Sequence, residues 1–386
     1  MNPYHLRTPA GLMRARGVGV PLQGQPGQWN AITDVPGVEV GYCTLISGDG
    51  PLVIGKGPVR TGVTAILPRG LQGATEGVFA GASCLNGNGE ASGLLWIEEA
   101  GRLDGPITLT NTHSCGLARD AVIKWLNQRK DSGSLDGNTF WLPVAAETCD
   151  NWLNDMNGFH VKEEHVFAAL DSARGGAVEE GSVGGGTGMS CYQFKGGSGT
   201  SSRLVTFGSR TFTIGAFVQS NFGIRRLCTI GGVPIGRYIP YTGPQTHRYL
   251  QGHPTDQGSI IVVIATDAPL SPTQLKRLSR RAGIGIARSG GIASNESGDI
   301  FIAFSTANQE AYQRVHECGP VEGFGEFMIT PLLEATAEAV DEAILNSLFA
   351  NRTMVGRDGN SREAIPIDQV QELLRKHAML AEVAAI

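Results

Sequence analysis

The stretch TDQGSIIVVIATDAP, residues 255–269, places a hydroxyl where it could act as a nucleophile. Gly258 and Ser259 follow a polar, turn-forming run and precede five aliphatic residues, Ile260 to Ile264. A strand this apolar is expected in the middle of a sandwich, so Ser259 would be held rigidly at a sheet end. Its hydroxyl could attack the Gly258 carbonyl, and water would cleave the resulting ester. The α-amine so released has a reference pKa of about 8 and can serve as a general base.

A local structural role is the alternative for this serine, because a hydroxyl at the head of a strand can hydrogen-bond to nearby backbone. Two features favour the nucleophile. Residues 236–258 are polar and rich in Pro and Gly, which predicts an exposed linker where a chain can be cut. Gly258 also leaves its own carbonyl sterically open.

The glycine run GSVGGGTGM, residues 181–189, invites a comparison with phosphate-binding loops. A P-loop needs Gly-Lys-Ser/Thr at its end, and a dinucleotide fold needs a preceding strand and an acidic residue about 20 positions on. Neither pattern is present, since Lys195 follows Phe194 and precedes Gly196. The run is therefore interpreted as turns that pack close to other backbone.

Other nucleophile and base patterns are weaker. Cys149 lies among acidic residues, Glu147 and Asp150, which oppose formation of a thiolate. The chain has no G-x-S-x-G elbow, and His113, in LTNTHSCG, is the one histidine beside a promising strand end. A lone histidine is more often structural than catalytic.

The composition is that of a globular protein of 386 residues with 54 glycines and a net charge of −5. The few Arg pairs are isolated, so no nucleic-acid partner is expected. No apolar run reaches the length of a membrane span, and the positively charged N-terminus lacks an apolar segment behind it, so we expect a cytoplasmic protein. Seven scattered cysteines without a CxxC pair predict reduced thiols, and we expect no metal and no organic cofactor.

The predicted elements mix strands and helices without the regular alternation of a doubly wound sheet. Alternating apolar residues after Pro36-Gly37 predict a hairpin, and Ser271 with Gln274 predicts a helical capping box. Residues 117–130 are expected to form a helix with Ala121, Ile123, Trp125 and Leu126 on its apolar face.

Nine motifs in order resemble the L-aminopeptidase/D-Ala-esterase/amidase family, which includes the β-peptidyl aminopeptidases. They are ITDVPGVEVGYCTLISGDG, WIEEAG, LTNTHSCG, ETCDNWLND, GSVGGGTGM, FKGGSGTSSR, VQSNFG, GSIIVVIATDAPL and SGDIFIAFSTAN. The resemblance implies an αββα four-layer sandwich, an α/β fold like that of the N-terminal-nucleophile hydrolases with different connectivity. It also implies one catalytic domain, residues 1–386, that cuts itself into chains 1–258 and 259–386 and assembles as a tetramer of αβ units.

The resemblance assigns roles to individual residues. Ser259 matches the nucleophile, and Ser297 and Asp299 match the pair that supports it. Asn221 matches the amide that helps to form the oxyanion hole. Glu147 matches the carboxylate that binds the free ammonium of the substrate, which would be a small peptide or an amino-acid amide.

One position departs from the family. Relatives often carry Tyr or Trp where this chain has Cys149, and a thiol is only a weak hydrogen-bond donor. The departure also predicts a wider pocket. In the light of the resemblance, the glycine run is expected to bring backbone close to Ser259, with Gly186 and Gly188 as the residues to test.

Three other functions remain open at this stage. An acyltransferase like ornithine acetyltransferase also cuts itself, but it normally uses a threonine nucleophile. An amidase that cuts nylon-like oligomers internally would not require a free amine in its substrate. A glycine-rich binding module would stay as one uncut chain.

Overall fold

The computed structural model describes residues 2–129, 140–243, 258–313 and 318–383. The helices are α1 Pro3–Leu6, α2 Ala15–Val18, α3 Leu94–Ala100, α4 Cys115–Asn127, α5 Glu163–Asp171, α6 Ile235–Tyr238, α7 Pro272–Ser279, α8 Ala282–Arg288, α9 Gln309–Gln313, α10 Thr330–Phe349 and α11 Ile367–Lys376. The strands are β1 Glu39–Ser47, β2 Val59–Leu67, β3 Val78–Gly87, β4 Arg102–Leu103, β5 Ile107–Asn111, β6 Val144–Thr148, β7 Ser190–Cys191, β8 Phe194–Lys195, β9 Gly197–Phe207, β10 Arg210–Asn221, β11 Ser259–Thr266, β12 Gly298–Ser305, β13 Met354–Val355 and β14 Ser361–Arg362.

Two sheets form the centre of the protein. The smaller has the strand order β1-β2-β5-β6, in which β5 and β6 run parallel. The larger has the order β4-β3-β12-β11-β10-β9, in which β11 is antiparallel to β10 and parallel to β12. Two further two-stranded sheets, β7-β8 and β13-β14, complete the described strands.

Three apolar clusters separate four layers. One joins helices α4 and α5 to the smaller sheet, a second fills the space between the two sheets, and a third joins the larger sheet to α7, α8, α10 and α11. Because each sheet is covered on both faces, both can be apolar throughout. The predicted αββα sandwich is confirmed.

The strand β11 explains the aliphatic run after Ser259. Ile261, Val263 and Ala265 pack between the sheets, whereas Ile260, Val262 and Ile264 pack against the helices. Successive strand residues point to opposite faces, so a strand with two dry faces needs an unbroken apolar run. Ser259 begins this central strand, as the sequence predicted.

Local predictions had mixed outcomes. The capping box is confirmed, since Gln274 N donates to Ser271 Oγ and Ser271 N donates to Gln274 Oε1. The prediction of a hairpin at Pro36-Gly37 is wrong. That turn follows a short 3-10 helix, and β1 pairs instead with β2, through residues 48–58.

The boundaries and faces of other segments were predicted less well. The apolar face of α4 includes Ala118 and Val122 rather than Ile123, which is only partly buried. The predicted linker 236–258 starts inside α6, and most of it lies outside the described residues. In the described ranges, no helix is both long and apolar enough to cross a membrane.

Candidate active site

A cleft of about 650 Å³ brings together residues from both sheets. Ser259 at the start of β11, Glu147 in β6 and Cys149 just after β6 all contribute to its wall. The remaining lining residues are Gly87, Asn88, Gly89, Glu90, Thr112 and Glu296. Since β6 contacts β11 across the space between the sheets, the Ser259 hydroxyl from one sheet and the Glu147 carboxylate from the other face one opening.

Ser259 is fixed by both of its neighbouring strands. Its register partners are Asn221 at the end of β10 and Gly298 at the start of β12. The Gly298 amide donates to Ser259 Oγ over 3.1 Å, and the serine is 5% exposed. A backbone N–H aimed at the hydroxyl oxygen would stabilise negative charge as it develops there.

Ser297 and Asp299 lie on either side of Gly298, the register partner of Ser259. Both are buried, and Ser297 Oγ donates to Asp299 Oδ1 over 2.8 Å. The loop before them is tied to β3, because Asn86 Nδ2 donates to the carbonyl of Ser294 and Ser297 N donates to the same carbonyl. The pair predicted from the sequence is thus held together and close to the strand partner of Ser259.

Asn221 is fixed at both ends of its side-chain amide. Its Oδ1 accepts from Ser190 N over 2.8 Å, and its Nδ2 donates to the carbonyl of Cys149 over 2.9 Å. The residue therefore connects the strand beside Ser259 to the segment after β6. Its amide nitrogen carries a second hydrogen, which is the one that an oxyanion would accept. An oxyanion role for Asn221 stays a prediction.

Glu147 is 3% exposed and is held by two donors. Glu90 N donates to its Oε1 over 2.9 Å, and Thr112 Oγ1 donates to its Oε2. Burial raises the pKa of Glu147, while these two hydrogen bonds act in the opposite direction. A buried carboxylate that has only neutral hydrogen-bond donors favours an incoming cation.

Cys149 presents a neutral thiol. Burial is the main cause that raises its pKa to about 11, and the nearby Asp150 carboxylate acts in the same direction. Its Sγ lies 3.8 Å from Met156 Sδ. The expectation that acidic neighbours oppose a thiolate agrees with this environment. His113 is exposed and stacks on Phe159 with 5.7 Å between ring centroids, outside the lining of the cleft.

Close packing explains why three positions, Gly186, Gly188 and Gly258, are glycine, and the sequence alone did not indicate this packing. A Cβ on Gly258 would lie 2.0 Å from the carbonyl oxygen of Asn221, so this position is closely packed rather than sterically open. A Cβ on Gly186 would lie 2.2 Å from Ser198 N, and one on Gly188 would lie 2.2 Å from Arg60 O. The 3-10 turn Gly184–Gly186 contacts strands of both sheets, so it fills the space between them and does not line the cleft.

Two contributors to the site were missed by sequence reasoning. Thr112 follows β5 just as Cys149 follows β6, and the parallel pairing of these strands brings their ends together. The Gly298 amide could not have been found, since a backbone donor has no side-chain signal. Polar residues at the ends of two parallel strands were the available signal for Thr112.

The charge of the cleft has one sign. Its described lining includes three carboxylates, Glu90, Glu147 and Glu296, and no Lys, Arg or His. Such a wall favours a ligand that brings a positive charge. Elsewhere in the described residues, no group of three or more His, Cys, Asp or Glu side chains has the arrangement of a metal site.

Comparison with known proteins places this geometry in a family. The model for peptidase family S58 matches residues 30–362. The chain belongs to peptidase family S58. It is 49% identical over 375 residues to a β-peptidyl aminopeptidase of Sphingosinicella microcystinivorans, covering 95% of this chain and 93% of the relative. A β-peptidyl aminopeptidase of Sphingosinicella xenopeptidilytica is 44% identical, with 94% and 91% covered.

A solved structure carries the same fold. The L-aminopeptidase D-Ala-esterase/amidase of Ochrobactrum anthropi, described as a prototype of the serine aminopeptidases and a variant of the N-terminal-nucleophile hydrolase fold, superposes with a TM-score of 0.88. It is 46% identical, and the match covers 95% of this chain and 99% of that one. The S58 chain is therefore a peptide-bond hydrolase with this fold, and the family resemblance seen in the sequence is confirmed.

Proposed function

We propose that this S58 chain is a self-processing serine aminopeptidase and amidase. It releases a small N-terminal residue, an L-, D- or β-amino acyl group, from short peptides, amides or esters. The observation that carries the proposal is the shared cleft, in which the hydroxyl of Ser259 and the buried carboxylate of Glu147 face one space lined by acids. The activities named for the relatives agree with it.

The nucleophile is made by a cut in the chain. Ser259 Oγ attacks the carbonyl carbon of Gly258, the Gly258–Ser259 C–N bond breaks, and the acyl group moves to oxygen as an ester. Water then hydrolyses this ester, which leaves a carboxylate on Gly258 and a free α-amine on Ser259. The products are chains 1–258 and 259–386.

The same hydroxyl performs turnover. Its proton passes to the new α-amine of Ser259 as Oγ attacks the scissile carbonyl of the substrate. Ser297 and Asp299 flank the strand partner of this residue, so they orient the amine and stabilise its charged form. Asn221 and a backbone amide stabilise the oxyanion. The amine returns the proton to the leaving group, and water releases the acyl group.

Glu147 sets the requirement for a free N-terminus. An ammonium bound to this carboxylate holds the first residue of the substrate in the cleft, so the bond after that residue faces Ser259. A charge-assisted hydrogen bond of this type contributes about 1.5–3 kcal/mol. No cofactor takes part in these steps. By resemblance to the family, we also propose a cytoplasmic homotetramer of αβ units, which light scattering would test.

The experiment that tests the proposal is intact mass under denaturing conditions, on the wild type and on Ser259→Ala. We expect two wild-type chains that divide between Gly258 and Ser259, and one whole chain in the variant. The matured wild type is then assayed with an amino-acid amide and with its N-acetylated form. Cleavage of both at equal rates would favour the internally cutting amidase, and a single uncut, inactive wild-type chain would contradict the proposal.

A further inference from the structure

A lysine is buried behind the active site, outside the cleft. Lys195 in β8 has no exposed surface, and its Nζ donates to the carbonyls of Gly196 at 2.7 Å, Met189 at 3.0 Å and Gly186 at 3.5 Å. Throughout the described ranges, no ion pair connects this amine to a carboxylate. Burial lowers the pKa of Lys195 to about 7.

The carbonyls of Gly196 and Met189 accept hydrogen bonds of ordinary length from Lys195 Nζ, which either form of the amine can donate, and the Gly186 carbonyl lies at the 3.5 Å limit. An ammonium has three N–H donors, whereas a neutral amine has only two. Burying an ammonium costs several kcal/mol, and apolar residues of similar volume often serve stability equally well. A role in packing alone is therefore a poor account of a lysine at this position.

Two of the three carbonyls around the Lys195 amine, those of Gly186 and Met189, belong to the glycine run. Gly186 and Met189 are the two ends of one turn, since Met189 N donates to Gly186 O over 3.3 Å. Lys195 Nζ contacts the carbonyls at both ends of this turn. The strand β8 ends at Lys195, and the carbonyl of the next residue, Gly196, also accepts from Asn351.

The turn is connected to the active site through the next residue. Ser190 N, directly after Met189, donates to Asn221 Oδ1 over 2.8 Å. Asn221 is the strand partner of Ser259. Met189 Sδ also accepts from the hydroxyl of Thr148 over 3.0 Å, and Thr148 follows Glu147.

We propose that Lys195 is a positioning residue, whose buried amino group fixes the segment Gly186–Ser190 and thereby the orientation of the Asn221 amide beside Ser259. The inference rests on the proposed function, because it gives Asn221 a part in turnover. Loss of this amino group leaves the fold in place but lets the Asn221 amide turn away from its productive orientation.

The test uses the full chain and three variants: Lys195→Met, Lys195→Gln and the control Asn351→Leu. Asn351 Nδ2 donates to the carbonyls of Lys195, Gly196 and Ser347, and its Oδ1 accepts from Ser182, but it does not contact the turn Gly186–Met189, so its loss perturbs the same corner without releasing Met189. We expect Lys195→Met to lower kcat about 10- to 100-fold with little change in KM, as for small misplacements of a catalytic group. Asn351→Leu should lower Tm and leave kcat within about twofold.

A double-mutant cycle separates positioning from general loosening. In an Asn221→Ala background, Lys195→Met should have almost no further effect on kcat, since the two residues act through one amide. Additive effects would overturn the proposal. If Lys195→Met does not fold, Lys195→Gln takes its place, because it keeps two of the donors.

A second readout does not depend on activity. In a crystal structure of Lys195→Gln or Lys195→Met, the distance from Ser190 N to Asn221 Oδ1 should exceed 3.5 Å or the amide should adopt another rotamer. An unchanged Asn221 would overturn the proposal even if the enzyme were slow. A wild type that neither cuts itself nor hydrolyses amides would contradict the proposed function instead, and the crystal readout would still test Lys195.

Discussion

Glu147 and Ser259 line one cleft, although Glu147 lies in the four-stranded sheet and Ser259 begins a central strand of the six-stranded sheet. The distance between the Glu147 carboxylate and the Ser259 hydroxyl is therefore set by how the two sheets pack. That packing is governed by the apolar cluster between them and by the buried glycine turn. The length of chain that an aminopeptidase removes is thus a property of the sandwich rather than of a loop.

Removing the charge of Glu147 should weaken the binding of substrates with a free amine. We expect Glu147→Gln to lower kcat/KM on an amino-acid amide about 10- to 100-fold, mainly through KM, because a charge-assisted hydrogen bond becomes a neutral one. The matched control is Glu90→Gln, which removes an exposed carboxylate from the same cleft and keeps the Glu90 amide that holds Glu147. A larger loss of kcat/KM in the control than in Glu147→Gln would indicate that Glu90 binds the substrate ammonium instead.

The acidic side of the pH profile should have two limbs, one from the Ser259 α-amine, which must be neutral to act as the base, and one from Glu147. The Glu147 carboxylate must be ionised to hold an ammonium, so kcat/KM falls as the pH drops through its pKa. Burial raises that pKa, so the Glu147 limb should lie above the ordinary glutamate value of 4.5. Thr112→Val removes a hydrogen bond that lowers the pKa, and the limb should move to still higher pH.

Thr110→Val is the control for this shift. Thr110 is the register partner of Glu147 in the parallel pair of β5 and β6, but its Oγ1 donates to the carbonyl of Gly62 and not to the Glu147 carboxylate. Thr110→Val should leave the Glu147 limb of kcat/KM at the same pH as in the wild type. Equal shifts in both variants would assign the limb to another group.

How far the sequence could predict this protein depends on whether a feature is local. The buried strand Ile260–Ile264 and the capping box at Ser271 were predictable, because periodicity and cap chemistry act within a few residues. The pairing of β1 with β2, instead of a hairpin at Pro36-Gly37, depends on partners beyond the turn.

The site divides in the same way. Ser259 was singled out by its place at the head of an apolar strand, and Glu147 through a motif that resembles a family. Gly298 contributes through its backbone, and Lys195 through burial that no local pattern indicates. Sheet order, which brings Gly298 beside Ser259, cannot be derived from strand periodicity alone.

The glycine turn should tolerate no side chain. Gly186→Ala places a Cβ 2.2 Å from Ser198 N, where backbone must move, so we expect a loss of at least about 2 kcal/mol in the free energy of unfolding. Gly116→Ala is the control, because nothing lies within 4 Å of its Cβ and the residue is exposed in α4. That change should be neutral or stabilise by up to about 1 kcal/mol. Chemical denaturation of both variants measures the difference, and normal stability in Gly186→Ala would contradict the packing role.

Cys149 should control the size of the N-terminal residue that the cleft accepts. The side chain is small and lines the cleft. Cys149→Tyr would fill part of the 650 Å³ space, so we expect kcat/KM for a bulky N-terminal residue to fall about tenfold relative to alanine.

Cys149→Ala is the matched variant for this selectivity. It removes the thiol without filling the cleft, and the backbone carbonyl that accepts from Asn221 remains. Because burial raises the pKa of this thiol to about 11, it is protonated near neutral pH, and its loss should change kcat by less than about threefold. The measurement is the ratio of kcat/KM for two amino-acid amides, one with a small and one with a large side chain, in all three proteins. A ratio that stays constant in Cys149→Tyr would show that the N-terminal side chain of the substrate lies elsewhere in the cleft, on the side of Asn88 and Glu296.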